Sequence, residues 1–216
     1  MSTGFEREKL LEALSYFATG VKYPGWIKLL KLVYYLDLVH LRRTGRTVTG
    51  LKYNAWQMGP VAENLHAEMN DSSSDLHKHF VISKATRIGG AAAVPTMDTP
   101  EEEVGKDAQE RWVNGEFKPR EKFQQRYLSK REYEIVKTLA EIFHEATADQ
   151  MSDVSHGKFG PWRKAIQRAK QEGAPKKPLI DLLEGVVACC NPKLELSPED
   201  LRAVVSEREE LKKILA

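Results

Sequence analysis

The sequence predicts a mainly α fold: a buried central helix ringed by five or more others, with a small β element from residues around 47–58, 79–84 and 116–126. Three observations carry this. Residues 26–41 are apolar or tyrosine throughout except for Lys28, Lys31, Asp37 and His40. A surface helix shows one apolar stripe, so a helix greasy on most faces is central, with other elements packed around it. Next, Thr3-x-x-Glu6, Ser129-x-x-Glu132, Thr147-x-x-Gln150 and Ser197-x-x-Asp200 each place a small hydroxyl residue three positions before an acid or amide. In that spacing two side chains satisfy free N–H groups of a first helical turn. Finally, residues 47–58 mix β-branched and aromatic side chains after a Thr-Gly-Arg turn, which suits a short strand or hairpin.

Taken in order, helices are expected near 5–19, 25–43, 60–70, 129–145, 148–156, 161–171, 179–190 and 198–214. The first is amphipathic through Phe5, Leu10, Leu11, Leu14 and Phe17 and should pack on the central one. The central helix is not a membrane span: its apolar run is too short, and its lysines and Asp37 would each be costly in hydrocarbon. Gly59-Pro60 is expected to turn the chain into the third helix, glycine permitting the turn and proline starting the helix. Residues 88–107 hold Gly89-Gly90-Ala91-Ala92-Ala93, Pro95, Pro100 and Glu101-Glu102-Glu103, the composition of a loosely ordered insertion. Pro175 and Pro178 mark a joint before the C-terminal helices. The division expected is a helical domain over 1–170, with an insertion at about 71–128, and a helical extension over 171–216.

Composition excludes several classes. The chain has 216 residues, 30% charged and 41% hydrophobic, with a net charge of +2. That is ordinary for a globular protein and too apolar for wholesale disorder. Cys189 and Cys190 are sequence neighbours, a poor arrangement for a disulfide that closes a useful loop. The N-terminus has helical periodicity and no apolar stretch of signal-peptide length. A reduced, cytoplasmic protein is expected. No Gly-x-Gly-x-x-Gly, P-loop or Gly-x-Ser-x-Gly element supports a nucleotide-binding or serine-hydrolase activity, so the expectation is a non-enzyme without a cofactor.

Two separated blocks carry a family resemblance. Lys28-Leu29-Leu30-Lys31-Leu32-Val33-Tyr34-Tyr35, then Thr44-Gly45, then Trp56-Gln57-Met58-Gly59-Pro60-Val61 resembles the opening of the Panacea (SocA-like) domain. Ser155-His156 followed by Pro161-Trp162 resembles its closing motif. The likeness covers roughly residues 10–169, with no counterpart for residues 71–127 or the tail after 170. It implies an antitoxin of a toxin–antitoxin pair, and in one branch of the family an adaptor delivering a toxin to a Clp-type protease. It also implies that Lys28, Lys31, Tyr34, Tyr35, Trp56, Gly59, Pro60, His156, Pro161 and Trp162 maintain a shared scaffold and do not choose the toxin.

Each candidate residue has a plain reading beside a functional one. Tyr34, Tyr35 and Trp56 form either an aromatic pocket or, more commonly, core with polar tips anchored at its edge. His156 is a base, a partner contact or, by preference, a structural histidine bridging two helices and favoured by a helix C-terminus. Asp153, one turn earlier, is placed to orient it. His66, His77 and His79 invite a metal reading, with His77-x-His79 on a strand, but border a solvated Ser/Asp loop.

Charge patterning is more suggestive. Lys118, Arg120, Lys122, Arg126, Lys130 and Arg131 cluster against Glu121, with Phe117, Phe123 and Tyr127 interleaved. Lys158, Arg163, Lys164, Arg168, Lys170, Lys176 and Lys177 cluster against Glu172. If both share a face, they would bind phosphates or an acidic protein surface; otherwise they are a solvated helix face. The acidic stretch 98–110 is placed to mask such a surface. Apolar stripes at Leu179, Ile180, Leu182, Leu183, Val186 and Val187, and at Leu201, Val204, Val205, Leu211 and Leu215, would cover the domain's own core, close a homodimer or dock a toxin. The leading expectation is direct neutralisation of a cognate toxin. The rivals are the proteolytic adaptor and a nucleic-acid-binding regulator using the basic segments.

Overall fold

A computed structural model describes residues 4–83, 86–88, 111–113, 117–157, 160–173, 177–184 and 198–215. The elements run α1 (Gly4–Gly20), α2 (Trp26–Thr44), β1 (Asn54–Trp56), β2 (Gly59–Val61), α3 (Glu63–Asn70), α4 (Leu76–His79), β3 (Phe80–Ile82), β4 (Thr86–Ile88), β5 (Arg111–Val113), β6 (Phe117–Pro119), α5 (Lys130–Ile142), α6 (Ala148–Ser155), α7 (Pro161–Glu172) and α8 (Pro198–Leu215). The fold is mainly helical, as expected, and α2 is its axis. From Lys28 to Leu41 only Tyr35 and Val39 are not fully buried, because α1, α3, α5, α6 and β2 all pack against it. Leu10, Leu14 and Phe17 bring α1 onto that core, and Ile135, Val136 and Leu139 bring α5. Gly45, at φ 69, closes α2 in the left-handed conformation, its N–H bonding the carbonyl of Leu41.

The capping arithmetic holds wherever the chain is described. Ser129 and Glu132 close a reciprocal box at α5, and Thr147 with Gln150 does the same at α6. The Thr3 and Ser197 boxes lie outside the described residues, as do residues 89–107 and the acidic stretch over 98–110.

Four expectations need correction. Gly59-Pro60 does not start a helix. Pro60 pairs with Ala55 in the β1–β2 hairpin, and α3 begins only at Glu63. With Gly59 at φ 107 the chain reverses too tightly for a helical turn. His77 and His79 lie on the single turn of α4, not on a strand, so the alternation argument fails for them. Of the expected strand 116–126, only β6 is strand among the described residues, antiparallel to β3. Finally, residues 179–184 form no helix. The free edge of β1 needs hydrogen-bond partners. The N–H of Ala55 takes the carbonyl of Pro178 (2.8 Å), and that of Ile180 takes the carbonyl of Tyr53 (2.8 Å). Ile180 is therefore buried while Leu179 is 52% exposed, a period of two. Residues 185–190 of that expected helix lie outside the described residues.

Candidate functional site

Most of the motif residues converge where the β1–β2 turn meets α2, α6 and α7. The turn bends back on Lys31, whose ammonium donates to the carbonyl of Met58. Burial pushes the Lys31 pKa down to about 8. The tightness explains Gly59: a Cβ there would lie 2.6 Å from the Ser155 hydroxyl and 3.4 Å from the His156 Nε2, and would collide with the Lys31 ammonium. Ser155 is buried and donates to the carbonyl of Ser152 (2.7 Å).

His156 ends α6, its backbone N–H bonding carbonyls of the last turn, and its ring stacks on Trp162 at 4.0 Å between centroids. Pro161, buried at the first position of α7, sets the direction of that helix. Trp162 in turn donates its indole N–H to the carbonyl of Trp56 (2.8 Å). Trp56 reaches the other way, donating to Glu63 (2.8 Å), with His66 edge-on to its ring and the Lys177 ammonium 3.8 Å above it. Histidine and tryptophan thus join α6 to α7, and α7 to the hairpin.

The tyrosines belong to a neighbouring layer. Tyr35 stacks on Phe143 and donates to the carbonyl of Met151 (3.3 Å). Tyr34 is buried edge-on against Tyr35 and Tyr53. Burial raises both their pKa values, so neither phenol ionises near neutrality. Lys28 stands apart, donating to the carbonyls of Lys22 (2.7 Å) and His144 (3.1 Å) and so tying the α1–α2 turn to the end of α5.

Sequence reasoning noted Asp37 only as an interruption of an apolar helix, yet among the described residues it is the buried acid with the most hydrogen-bond donors. It accepts from the N–H groups of Val48 (2.7 Å) and Thr49 (2.9 Å), from the Thr49 hydroxyl and from the Tyr53 phenol (2.7 Å). Burial pushes its pKa up, with the hydrogen bonds opposing. A charge at the centre of an otherwise apolar helix was itself the signal, since a buried carboxylate must be hydrogen-bonded. Asp153 has an exposed side chain, and its main-chain carbonyl accepts the His156 N–H (3.2 Å). His66 packs on Trp56, and no group of three metal-ligating side chains forms among the described residues.

The two basic clusters are built on different elements. Lys118 and Arg120 lie on and just after β6, which packs on α1; Lys122 and Arg126 follow in the connecting loop, and Lys130 and Arg131 open α5. Arg163, Lys164, Arg168 and Lys170 lie on α7, which packs on β1. Within the second cluster Arg168 pairs with Glu184 and Lys177 covers Trp56. Lys158 and Lys176 lie outside the described residues.

The result is a helical protein whose sequence motifs serve to lock a hairpin onto a buried helix. The chain belongs to the antitoxin SocA-like, Panacea domain family, whose model matches residues 29–163. The match opens inside α2 and closes in α7, so it contains the whole convergence from Lys31 to Trp162, while Lys28 lies just before it and α1 and α8 fall outside. Neither the curated proteins nor the solved structures contain a match to this chain. No helix among the described residues is long and apolar enough to cross a membrane.

Proposed function

We propose that this protein is a non-enzymatic antitoxin that neutralises a co-produced toxin by binding it directly. The observation that carries this reading is the use to which the family motif is put. Lys31 and Trp162 donate to main-chain carbonyls, His156 stacks its ring on Trp162, and Gly59 leaves the room that this contact needs, which is frame-building. Recognition then falls to surfaces outside the motif, as is usual for loops held on a rigid scaffold. In that role the protein would block the toxin's active site or hold the toxin inactive, needing no cofactor.

The test is co-expression with the product of the neighbouring reading frame, scoring growth and then recovering the pair on a tag. Rescue with a stable stoichiometric complex supports direct neutralisation. Rescue that disappears in a host lacking a Clp-type protease replaces it with delivery to that protease. Neither rescue nor complex overturns it and turns attention to salt-dependent DNA binding.

A further inference from the structure

We infer that the loop after β6 and the first turn of α5, residues 120–131, form the docking surface for an acidic polypeptide segment of the partner. The partner is the toxin proposed above, so this assignment rests on that reading. The loop has no regular secondary structure between Glu121 and Ser129, yet it is held in one shape. Glu12 of α1, buried, accepts the N–H groups of Arg126 (2.9 Å), Tyr127 (2.6 Å) and Leu128 (3.3 Å). Phe123 sits edge-on to Tyr16 and stacked on Tyr133. Arg120 ties the near end to α4 through the carbonyls of His79 (2.8 Å) and His77 (3.1 Å). A loop fixed this way loses little conformational entropy when a partner arrives.

Between this loop, α1 and α4 lies a groove of about 140 Å³, with Phe80, Phe123 and Tyr127 among its walls and Lys122 and Arg126 at its side. Of the acids that line the groove, Glu12 is already engaged by three N–H groups. Lys122, Lys130 and Arg131 are exposed and make no ion pair among the described residues, and the Arg126 guanidinium donates to the neutral amide of Gln124. Lys130 and Arg131 occupy the first turn of α5, where the helix dipole disfavours cations. Cations that cost their own helix stability and find no anion among the described residues are complementary to an external one. Exposed tyrosine beside arginine is also the composition that protein interfaces favour. Glu8 and Glu121, which share the groove, would repel a nucleic-acid backbone, whereas a polypeptide can place carboxylates by the cations and an apolar side chain in the groove.

The experiment measures affinity of the full chain for the purified product of the neighbouring reading frame, with a DNA duplex as second probe. The variants are K122E/R126E, its neutral counterpart K122Q/R126Q, K130E/R131E and Y127A, with R46E/K52E as an equal charge change at exposed residues elsewhere. Expected are losses of about tenfold or more for the reversals, smaller ones for the neutral pair, a salt-weakened wild-type complex and an unaffected control. Circular dichroism checks that each variant is folded. Wild-type binding that survives every loop variant within about twofold overturns the docking surface and leaves the antitoxin reading standing. An equal loss in the control overturns it too, since net charge alone would then explain the effect. Reversals that abolish duplex binding while sparing the protein complex replace the acidic polypeptide with nucleic acid. No wild-type complex at all overturns both proposals.

Discussion

Gly59 and Lys31 make the hairpin turn an all-or-nothing contact. With φ at 107, and a Cβ position crowded by Lys31, Ser155 and His156, Gly59→Ala must both strain the backbone and push apart buried polar groups. A loss of about 2 kcal/mol or more in urea unfolding is expected. Lys31 itself should reveal its burial in the pH dependence of stability. Its folded pKa, about 8, lies below the free-lysine value of 10.5. Between those values the unfolded chain holds the proton and the native chain does not, so stability rises with pH. Ionisation of the phenols of Tyr34 and Tyr35, whose folded pKa values are raised above 10.0, works the other way at higher pH. Wild type should therefore gain on Lys31→Met by on the order of 2 kcal/mol between about pH 8 and pH 10. A stability difference flat across that window would mean that the ammonium is not desolvated.

The helices depend on caps and on a few buried acids that tie one element to the next. Ser129→Ala removes the hydroxyl that caps α5 and should cost about 1 kcal/mol in thermal unfolding. The loss should exceed that of an ordinary exposed serine, because the backbone N–H of Glu132 loses its acceptor, while the Glu132 carboxylate keeps the N–H of residue 129 and Lys9 of α1 (2.6 Å). Glu12→Ala acts differently. It leaves the N–H groups of Arg126, Tyr127 and Leu128 without their acceptor, so their hydrogen exchange should accelerate by an order of magnitude or more, while the core amides of α2 change little. Uniform acceleration across the chain would mean that Glu12 supports the whole fold and not the loop.

Across the molecule, the arrangement separates what keeps the fold from what meets a partner. Trp162→Phe removes the indole N–H that holds the carbonyl of Trp56 and should lower thermal stability by a few degrees. If the motif only builds the frame, growth rescue by this variant should return whenever the folded fraction does, for example at reduced temperature. Persistent loss of rescue by a fully folded Trp162→Phe protein would place the motif in the toxin contact instead.

The sequence by itself determined the helical class, the buried axis and the cap sites at α5 and α6. These are local: they follow from apolar periodicity and from side chains a few positions apart satisfying their own backbone. The family motif was legible too, down to the residues that now meet at Gly59. Only the tertiary structure decided where those residues send their hydrogen bonds. Pro60 enters a strand because Ala55 lies opposite it. Residues 178–180 line β1 because its edge carried unpaired N–H and carbonyl groups. Asp37 becomes a hub because residues 48, 49 and 53 fold back over α2. Glu12 fixes a loop more than a hundred positions away in the chain. Such pairings are set by which free donors and acceptors come within reach once the core has closed, and spacing along the chain does not encode that distance.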